Sequence, residues 1–219
     1  MEITPIIEQT ADGSPTLRHP LSGEAYHSLN GAVTESKHVF IRAGFETCGR
    51  NHVRVLEAGF GSGLNALLTL LAAESSGKSV YYTAVELYPV SMRTVAALSY
   101  SQDRHFVRLH EAEWGVPTTI TDNFTLHKIE ADLAKIQFDT TFDVVYFDAF
   151  APDCQPELWT TAIFTSIFDA LATGGVLVTY SAKGEVKQAL RKAGFEVSRL
   201  GGAPGKRHML RAIKIVNSE

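Results

Sequence analysis

The feature that most constrains this chain is an alternation of short apolar runs with helix-like segments, which starts near residue 53 and continues to the C-terminal end. Seven runs have the composition of buried strands: HVRVLEA, SVYYTAVEL, FTLHKIEADL, FDVVYFDAF, GVLVTYS, FEVSRL and MLRAIKIV. Strands that alternate with helices and read as continuous Val, Ile and Leu runs are typical of a parallel sheet covered on both faces. The sequence therefore predicts an α/β fold with a mostly parallel seven-stranded sheet and helices on both faces.

The segments between these runs predict the helices and one irregular region. Helices are expected over residues 64–74, 89–100, 156–172 and 185–194, the second and third opened by a proline in the first turn. Gly174 and Gly175 are expected to end the third of these helices. Residues 101–124 show no helix or strand period, and we expect them to be irregular.

The first fifty residues do not follow the alternation. TADGSPTLRH predicts a hairpin around Asp12 and Gly13, and HSLNGAVTESKHVFIRAG predicts a helix with Asn30 as a candidate cap. A chain of 219 residues is long enough for one sizeable domain. We therefore expect a small N-terminal extension over residues 1–50, serving as a lid or as packing, and a main domain over residues 51–219.

Composition indicates in which cellular compartment the protein works and whether it binds a metal. The N-terminal residues lack both a basic segment and an apolar core, so no signal peptide is predicted, and no apolar run is long enough to span a bilayer. Cys48 and Cys154 lie far apart in sequence, and the eight histidines show no ligand spacing. We expect a protein of the reducing cytoplasm that binds no metal.

A glycine-rich turn follows the first strand of the alternation, in the sequence EAGFGSGLN. Gly59, Gly61 and Gly63 stand at alternate positions, which allows a tight turn and close approach of a ligand to the backbone. The apolar helix that follows offers unpaired N–H groups at its start. A strand before the turn and a helix after it predict a site for a nucleotide-type cofactor.

The acids around this turn narrow the choice of cofactor. Glu86 ends the second strand, 23 positions after Gly63, where an acid can accept hydrogen bonds from ribose hydroxyls of either NAD or S-adenosylmethionine. Leu64 stands where a dinucleotide fingerprint requires its last glycine. Glu57 would repel a pyrophosphate but suits the amino group of a methionine moiety, and Asp132 can accept from an adenine amino group. These features favour S-adenosylmethionine.

A further acid, Asp148, ends the strand FDVVYFDAF and is followed at once by Phe150 and Pro152. Ligands of open α/β sheets bind beyond the carboxyl ends of the strands, near the point where the strand order reverses. We therefore expect Asp148 at the rim of the ligand crevice, although an Asp at this position could also cap a turn.

Several of these motifs together resemble one family. They are EAGFGSGLN (57–65), FDAFAP (147–152) with PELWT (156–160), GKRHM (205–209), YHS (26–28) and GxxxESKHVF (31–40). The family comprises the methyltransferases that complete 5-methylaminomethyl-2-thiouridine at the tRNA wobble position, either fused to a flavin oxidase or alone. The resemblance covers about residues 20–215. It implies a Rossmann-like class I methyltransferase, here in the standalone form, that methylates the primary amine of 5-aminomethyl-2-thiouridine.

The resemblance and the residue patterns give one set of expected site residues. Asp148 is the catalytic residue; the cofactor-binding residues are Glu57, Gly59, Phe60, Gly61, Gly63, Asn65, Glu86, Asp132 and Asp148; the substrate residues are Phe150, Tyr26, Lys206 and Arg207. Trp114 and Tyr26 are weaker candidates for lids, and packing is the favoured role of both. We expect Phe150 to form a pocket wall, where stacking on a base is worth about 1–3 kcal/mol.

Asp148 is expected to position the amine first and to move a proton second. An Asp titrates near pKa 3.9 and a primary alkylamine near 10, so the driving force for proton abstraction is poor. Orientation can supply roughly 7–11 kcal/mol, whereas a general base gives about 10²- to 10⁴-fold. A carboxylate also stabilises the positive charge that develops on nitrogen.

Charge is distributed unevenly along the chain, and this indicates where a nucleic acid could bind. The chain has a net charge of −4, but the part from Tyr180 to Glu219 holds nine Lys or Arg and three Asp or Glu, so it carries +6 and the remainder −10. This tail is a candidate phosphate-binding patch, with Lys183, Lys187, Arg191, Lys192, Lys206, Arg207 and His208 as its members.

Other functions stay open on the sequence alone. They are an NAD-dependent dehydrogenase on a similar sheet, a methyltransferase-like scaffold without turnover, and a small-molecule N-methyltransferase, which the acidic bulk charge favours. The expected partners are tRNA and, through function, the enzyme that makes the aminomethyl-uridine.

Overall fold

The apolar runs form the strands of the computed structural model, which describes residues 4–98, 100 and 104–215. The strands are β1 (Ile6–Gln9), β2 (Pro15–Arg18), β3 (His52–Ala58), β4 (Ser79–Glu86), β5 (Thr118–Thr121), β6 (Phe124–Glu130), β7 (Phe142–Phe147), β8 (Leu171–Thr179), β9 (Glu196–Gly201) and β10 (His208–Ile213). Strands β1 and β2 pair as a separate antiparallel hairpin, as the Asp12–Gly13 turn predicted. The other eight form one sheet in the order β5-β6-β4-β3-β7-β8-β10-β9.

The centre of this sheet is parallel and its two edges are antiparallel. Strands β6, β4, β3, β7 and β8 run parallel to one another, whereas β10 is antiparallel to both β8 and β9. The chain moves from β3 to β4 on one side, and β7 lies on the other side of β3, so the strand order reverses between β3 and β7. The crevice beyond the carboxyl ends of β3 and β7 is therefore the expected ligand site.

The sheet has eight strands, one more than the sequence predicted. The additional strand is β5, which pairs antiparallel with β6 across the turn at Asp122 and Asn123. It lies within the region that was expected to be irregular, and so does a helix over Arg104–Glu111. Four residues are too few to show a strand period, and β5 is held in place by its hydrogen bonds to β6 at the sheet edge.

Helices cover both faces of the sheet. They are α1 (Ala32–Ser36), α2 (Leu64–Ser76), α3 (Met92–Ala97), α4 (Arg104–Glu111), α5 (Thr161–Ala170) and α6 (Gly184–Lys192). The core cluster on one face includes residues of α2, α3 and α4, and the cluster on the other face includes residues of α5 and α6. A mostly parallel α/β sheet with helices on both faces is thus confirmed.

Several helix ends differ from the sequence prediction. Gly31, not Asn30, precedes α1, which continues into a π-helix over Lys37–Arg42. Pro156 opens only a 3₁₀ turn, because Thr160 caps α5 by accepting a hydrogen bond from the Ile163 N–H. Helix α5 ends at Ala170, so Gly174 and Gly175 lie inside β8 instead of ending the helix.

A cluster of polar side chains ties the N-terminal hairpin to α1. Asp12 accepts hydrogen bonds from the Ser14 N–H at 3.0 Å and from the Thr34 N–H at 2.9 Å. Burial opposes ionisation of Asp12, but the hydrogen bonds from Ser14 and Thr34 outweigh it and hold the pKa of Asp12 below its ordinary value. The extension therefore packs as an ordered wall beside the sheet.

Candidate active site

A cavity of about 620 Å³ opens at the carboxyl end of the sheet, where the strand order reverses. Its floor is the turn between β3 and α2, and residues after β4, β6 and β7 form its sides. The N-terminal extension contributes residues 18–19, 22–29 and 35, and the turn between β9 and β10 contributes Lys206. Ligand pockets of roughly 300–1,000 Å³ are typical for small molecules and cofactors, so the size suits one.

The glycine turn owes its shape to close contacts that a side chain would prevent. Gly59 has a φ of +92°, and a Cβ atom there would lie 2.8 Å from the Asp148 carbonyl oxygen. The Gly59 N–H bonds to the Val85 carbonyl at 2.9 Å, and the Asp148 N–H bonds to the Ala58 carbonyl at 3.0 Å. Glycine at this position therefore lets the ends of β3, β4 and β7 meet.

One side chain, Asn65 in the first turn of α2, links two of the predicted acids. Its amide nitrogen donates to Glu57 Oε1 at 2.9 Å and to Asp148 Oδ2 at 2.7 Å. Asn65 and Asp148 line the cavity, whereas Glu57 has no exposed surface and lies behind Asn65. The structure thus brings Glu57 to the site as a support for Asn65.

The two carboxyl groups joined by Asn65 share a low-dielectric environment. Burial raises the pKa of Glu57 well above its ordinary value; the Asn65 hydrogen bond opposes this rise and the charge of Asp148 adds to it. Burial also raises the pKa of Asp148, to about 7, with repulsion from Glu35 in the same direction and the Asn65 hydrogen bond and Lys206 opposing. Asp148 therefore changes its charge near neutral pH.

Glu86 and Asp132 lie on the side of the cavity formed by the ends of β4 and β6. Glu86 accepts hydrogen bonds from the Gly61 N–H at 3.0 Å and the Tyr88 N–H at 2.9 Å, and burial raises its pKa. Each carboxylate oxygen has a second lone pair, so Glu86 can still accept from a ligand hydroxyl. Asp132 is half-buried and pairs with Lys135 at 3.0 Å.

Aromatic residues form the opposite wall. The Tyr26 and Phe150 rings meet edge to face with centroids 5.0 Å apart, and both line the cavity. The Trp159 indole N–H donates to the Phe150 carbonyl at 2.8 Å, which fixes the loop. Phe60 also lines the cavity, at the glycine turn, while its ring lies 5.9 Å from the Trp114 ring.

Trp114 does not line this cavity among the residues that the structure describes. Its ring is covered by the buried ammonium of Lys128 at 4.7 Å. Burial lowers the pKa of Lys128 to about 8. This arrangement is a cation–π packing contact behind the glycine turn, so the structure supports a packing role for Trp114 and not a lid.

The two predicted substrate residues of the tail, Lys206 and Arg207, lie in different surroundings. Arg207 is exposed, as a phosphate contact requires. Lys206 instead lines the cavity, where its ammonium pairs with Glu35 Oε1 at 2.6 Å and lies 4.2 Å from the centroid of the Tyr180 ring. Sequence reasoning assigned no role to Glu35 or Tyr180, because nothing local marks an acid inside a helix or a tyrosine at a strand end.

The residues present fit S-adenosylmethionine. Asn65 Oδ1 is buried and has no hydrogen-bond partner within the described part of the chain, a cost that an ammonium group would remove. The Glu86 carboxylate faces the same cavity and suits ribose hydroxyls. Gly59 and Gly61 also line the cavity, whereas the space beside Gly63 is filled by the His110 ring, 2.7 Å from where a Cβ would lie. Across residues 4–98, 100 and 104–215, no three His, Cys, Asp or Glu side chains group as a metal site.

This fold and this cavity define an α/β enzyme of the class that uses S-adenosyl-L-methionine as methyl donor. Residues 96–215 match the model of a family described as S-adenosyl-L-methionine-dependent methyltransferase, and the chain belongs to that family. The match includes Asp148 and Lys206, whereas the glycine turn lies before it.

Two curated relatives and one solved structure are similar to this chain over most of its length. The chain is 32% identical to the tRNA 5-methylaminomethyl-2-thiouridine biosynthesis bifunctional protein MnmC of Azoarcus sp. (strain BH72), over 96% of this chain and 36% of the relative. It is 31% identical to the protein of that name from Burkholderia thailandensis, over 89% and 33%. MnmC2 from Aquifex aeolicus superposes with a TM-score of 0.79 and 29% identity, over 100% of this chain and 74% of that one. The chain thus spans about a third of the length of these curated relatives.

The position of Glu57 yields a test with a matched pair of variants. We expect Glu57→Gln to change the affinity for S-adenosylhomocysteine less than about threefold, because a glutamine resembles the protonated buried acid and Asn65 separates it from the cavity. Glu86→Gln, which changes a residue of the cavity wall, should weaken binding about tenfold or more. Titration calorimetry measures both. Equal losses would show that Glu57 contacts the donor directly, as the sequence predicted.

Proposed function

We propose that this protein transfers a methyl group from S-adenosylmethionine to the aminomethyl nitrogen of 5-aminomethyl-2-thiouridine at the tRNA wobble position. One observation carries the proposal: Asp148, held by Asn65, faces a cavity that Phe150 and Tyr26 also line. This places a carboxylate for an amine beside aromatic walls for a base. The relatives with a matching region have names that refer to 5-methylaminomethyl-2-thiouridine biosynthesis in tRNA, which supports this substrate.

The residues of the chain have distinct roles in this reaction. The donor, when bound, supplies a methyl group on a positively charged sulfur. Glu86, Asp132 and the glycine turn hold the donor, with Asn65 Oδ1 available to its amino group. Asp148 accepts an N–H of the substrate amine and favours the positive charge that develops on nitrogen. Phe150 stacks on the base that leaves the anticodon stack.

The structure refines the balance between positioning and proton transfer at Asp148. With a pKa raised to about 7, Asp148 is a better proton acceptor than an ordinary Asp, yet it stays far below an alkylamine near 10. Positioning is therefore its main contribution. Uptake of the proton released after methyl transfer is the second, and it uses the carboxylate form that prevails above pH 7.

The proposed tRNA surface is the exposed part of the basic tail. Arg191 and Lys192 end α6 and are exposed, as is Arg207 in the turn between β9 and β10. Lys183 is engaged with Asp153, and Lys206 lies in the cavity, so neither is a free phosphate contact. Phosphate contacts supply sequence-independent affinity, which suits an anticodon arm.

Charge reversal tests this surface. We expect Lys192→Glu and Arg207→Glu each to weaken tRNA binding and to reduce the slope of log K against log salt, by about 0.7–0.9 per lost phosphate contact. Arg104→Glu, which reverses an exposed arginine at the start of α4, serves as the control and should keep the slope. Filter binding over a range of salt concentrations measures it. Slopes equal to that of the control would remove the tail from the interface.

Nucleoside mass spectrometry tests the function itself. Purified protein and S-adenosylmethionine should convert 5-aminomethyl-2-thiouridine to its N-methyl form in tRNA from cells that lack this gene. Methylation of free aminomethyl nucleosides or small amines, with tRNA left unchanged, would instead support a small-molecule N-methyltransferase. Absence of any methyl transfer, despite binding of S-adenosylhomocysteine, would contradict the enzymatic proposal.

The proposed function also bears on the N-terminal extension, the cellular compartment and the enzyme that supplies the substrate. We infer that residues 1–50 act as a wall of the site attached to a methyltransferase domain over residues 51–219, since the extension contributes Tyr26 and Glu35 to the cavity. A tRNA substrate implies the cytoplasm and an enzyme there that first makes the aminomethyl-uridine. Cys48 and Cys154 are both free thiols, which suits that compartment. No helix within the described ranges is long and apolar enough to cross a bilayer.

A further inference from the structure

Lys206 occupies an unusual position for a tail lysine. Among the described residues, the arginine and lysine side chains that line the cavity are Arg18 and Lys206, and they differ in what they face. Arg18 is held by both carboxylate oxygens of Glu8, at 2.7 and 2.8 Å. Lys206 is only 33% exposed and is held by Glu35, whose own side chain is 6% exposed. Lys206 is therefore the cation that balances the acids on the Asp148 side of the cavity.

Tyr180 connects Lys206 to the loop that follows β7. The Lys206 ammonium lies over the Tyr180 ring, 4.2 Å from its centroid, and the Tyr180 hydroxyl donates to the Ala149 carbonyl at 2.9 Å. Ala149 follows Asp148 directly in the chain. A chain of three contacts thus runs from Glu35 through Lys206 and Tyr180 to the residue next to the catalytic carboxylate, and it fixes the ammonium within the site.

We propose that Lys206 is a positioning residue of the methyl-transfer site, whose ammonium offsets the surrounding acids so that Asp148 ionises and the incoming amine loses its proton near neutral pH. This inference rests on the proposed function. It assigns Lys206 to the chemistry, instead of to the phosphate contacts that the sequence suggested.

The chemistry explains why a cation is needed beside Asp148. An ionised Asp148 alone would stabilise the protonated amine, which has no lone pair for attack. A nearby ammonium disfavours that second positive charge. In the transfer, the amine lone pair forms a bond to the methyl carbon, and the carbon–sulfur bond breaks with its electron pair left on sulfur. The methylated ammonium then gives one proton to the Asp148 carboxylate or to water.

Other charged groups act on the same site, so the effect of Lys206 has to be separated from theirs. The titratable groups that interact electrostatically with Asp148, Lys206 or Tyr180 are Glu24, His27, Glu35, Glu57, Tyr82 and Cys154. The two members of the ion pair act on the pKa of Asp148 in opposite directions, because Glu35 raises it and Lys206 lowers it. Burial lowers the pKa of His27 to about 4, so His27 is neutral near pH 7.

Because Glu35 and Lys206 shift the pKa of Asp148 in opposite directions, replacing each of them should move the pH profile in opposite directions. We expect Lys206→Met to move the midpoint of the rise in kcat/KM with pH upward by about one unit, and Glu35→Gln to move it downward. Lys206→Arg keeps the charge and should keep the midpoint, whatever its rate. Arg50→Met serves as the control, since it removes the cation of an ion pair with Asp143 at the start of β7 and should not move the midpoint.

A second measurement does not depend on activity. The carboxyl carbon of Asp148, followed by ¹³C NMR in the protein without tRNA, should titrate with the same upward and downward shifts in Lys206→Met and Glu35→Gln. If the ion pair only holds the extension in place, both variants would lower activity with unmoved midpoints, and the inference is overturned. If Lys206→Met does not fold, the downward shift in Glu35→Gln decides, because loss of a structural contact gives no reason for it.

The two readouts separate the inference from the proposed function. Shifted NMR titrations without methylation of tRNA by the wild-type protein would reject the tRNA reaction and keep the role of Lys206. Methylation of tRNA with unmoved titrations and unmoved pH profiles would keep the reaction and reject the role of Lys206.

Discussion

Replacing Asp148 with Asn should lower kcat/KM for tRNA methylation about 100- to 1,000-fold. The asparagine keeps the shape of the side chain, and its oxygen can still accept the Asn65 hydrogen bond. It cannot carry the charge that stabilises the cation developing on nitrogen, nor take up a proton. The rise of activity through about pH 7, which reflects the raised pKa of Asp148, should also disappear. Full activity in the variant would remove Asp148 from the mechanism.

The thermal stability of the same variant provides its control. The pKa of Asp148 is about 7 when folded and near 3.9 when unfolded, so the folded state binds the proton more tightly. The stability that this proton contributes is fully present below about pH 4 and is lost as the pH rises through 7. Asn does not titrate, so the Tm of the variant relative to wild type should increase between pH 4 and 8. A constant difference in Tm would contradict the raised pKa.

The second large effect is expected at the glycine turn. We expect Gly59→Ala to abolish measurable binding of S-adenosylhomocysteine and to destabilise the fold by more than about 2 kcal/mol. The added Cβ would lie 2.8 Å from the Asp148 carbonyl oxygen, a backbone atom that cannot rotate away, and φ is +92°. The ends of β3 and β7 would have to separate, and that movement displaces Asp148. Calorimetry for binding and chemical denaturation for stability measure the two losses.

Gly77→Ala is the matched control for this substitution. Gly77 ends α2 with a φ of +69°, but a Cβ there meets nothing within 4 Å. It should cost about 1 kcal/mol from backbone strain alone and leave binding of S-adenosylhomocysteine intact. Equal destabilisation by the two variants, with binding kept in both, would mean that the close approach at Gly59 is not needed for the site.

The predictable part of the fold came from long, regular patterns. The apolar runs of β3, β4, β6, β7 and β8 marked buried parallel strands, because both faces of such strands are covered. The prediction failed where order depends on a partner distant in sequence. Strand β5 has four residues and depends on β6, and α5 ends at Ala170 because the chain joins the sheet there, four residues before the glycines.

In the candidate active site, too, some features were predictable from the sequence and others depend on partners distant in sequence. Gly59 and Asp148 follow two parallel strands of the sheet and Glu86 ends a third, so a strand prediction was enough to place them at one edge. The contacts of these residues with a donor stay predictions. Glu57 was predicted to face the ligand; in the structure its side chain is fully buried and accepts a hydrogen bond from the α2 side chain Asn65, which depends on how α2 packs on β3. The Glu35–Lys206 pair joins positions 171 residues apart and has no local signal.

By itself, the sequence determined the α/β class, the helices on both faces, the glycine turn and the sheet edge at which the predicted acids meet, since these follow from local hydrophobic period and strand direction. Only the tertiary structure decided which charges share the cavity, that Glu57 is buried behind Asn65, and that Lys206 turns inward from the basic tail. The reason is physical: electrostatic interactions depend on distance and burial in three dimensions, and neither quantity is encoded by the spacing of residues along the chain.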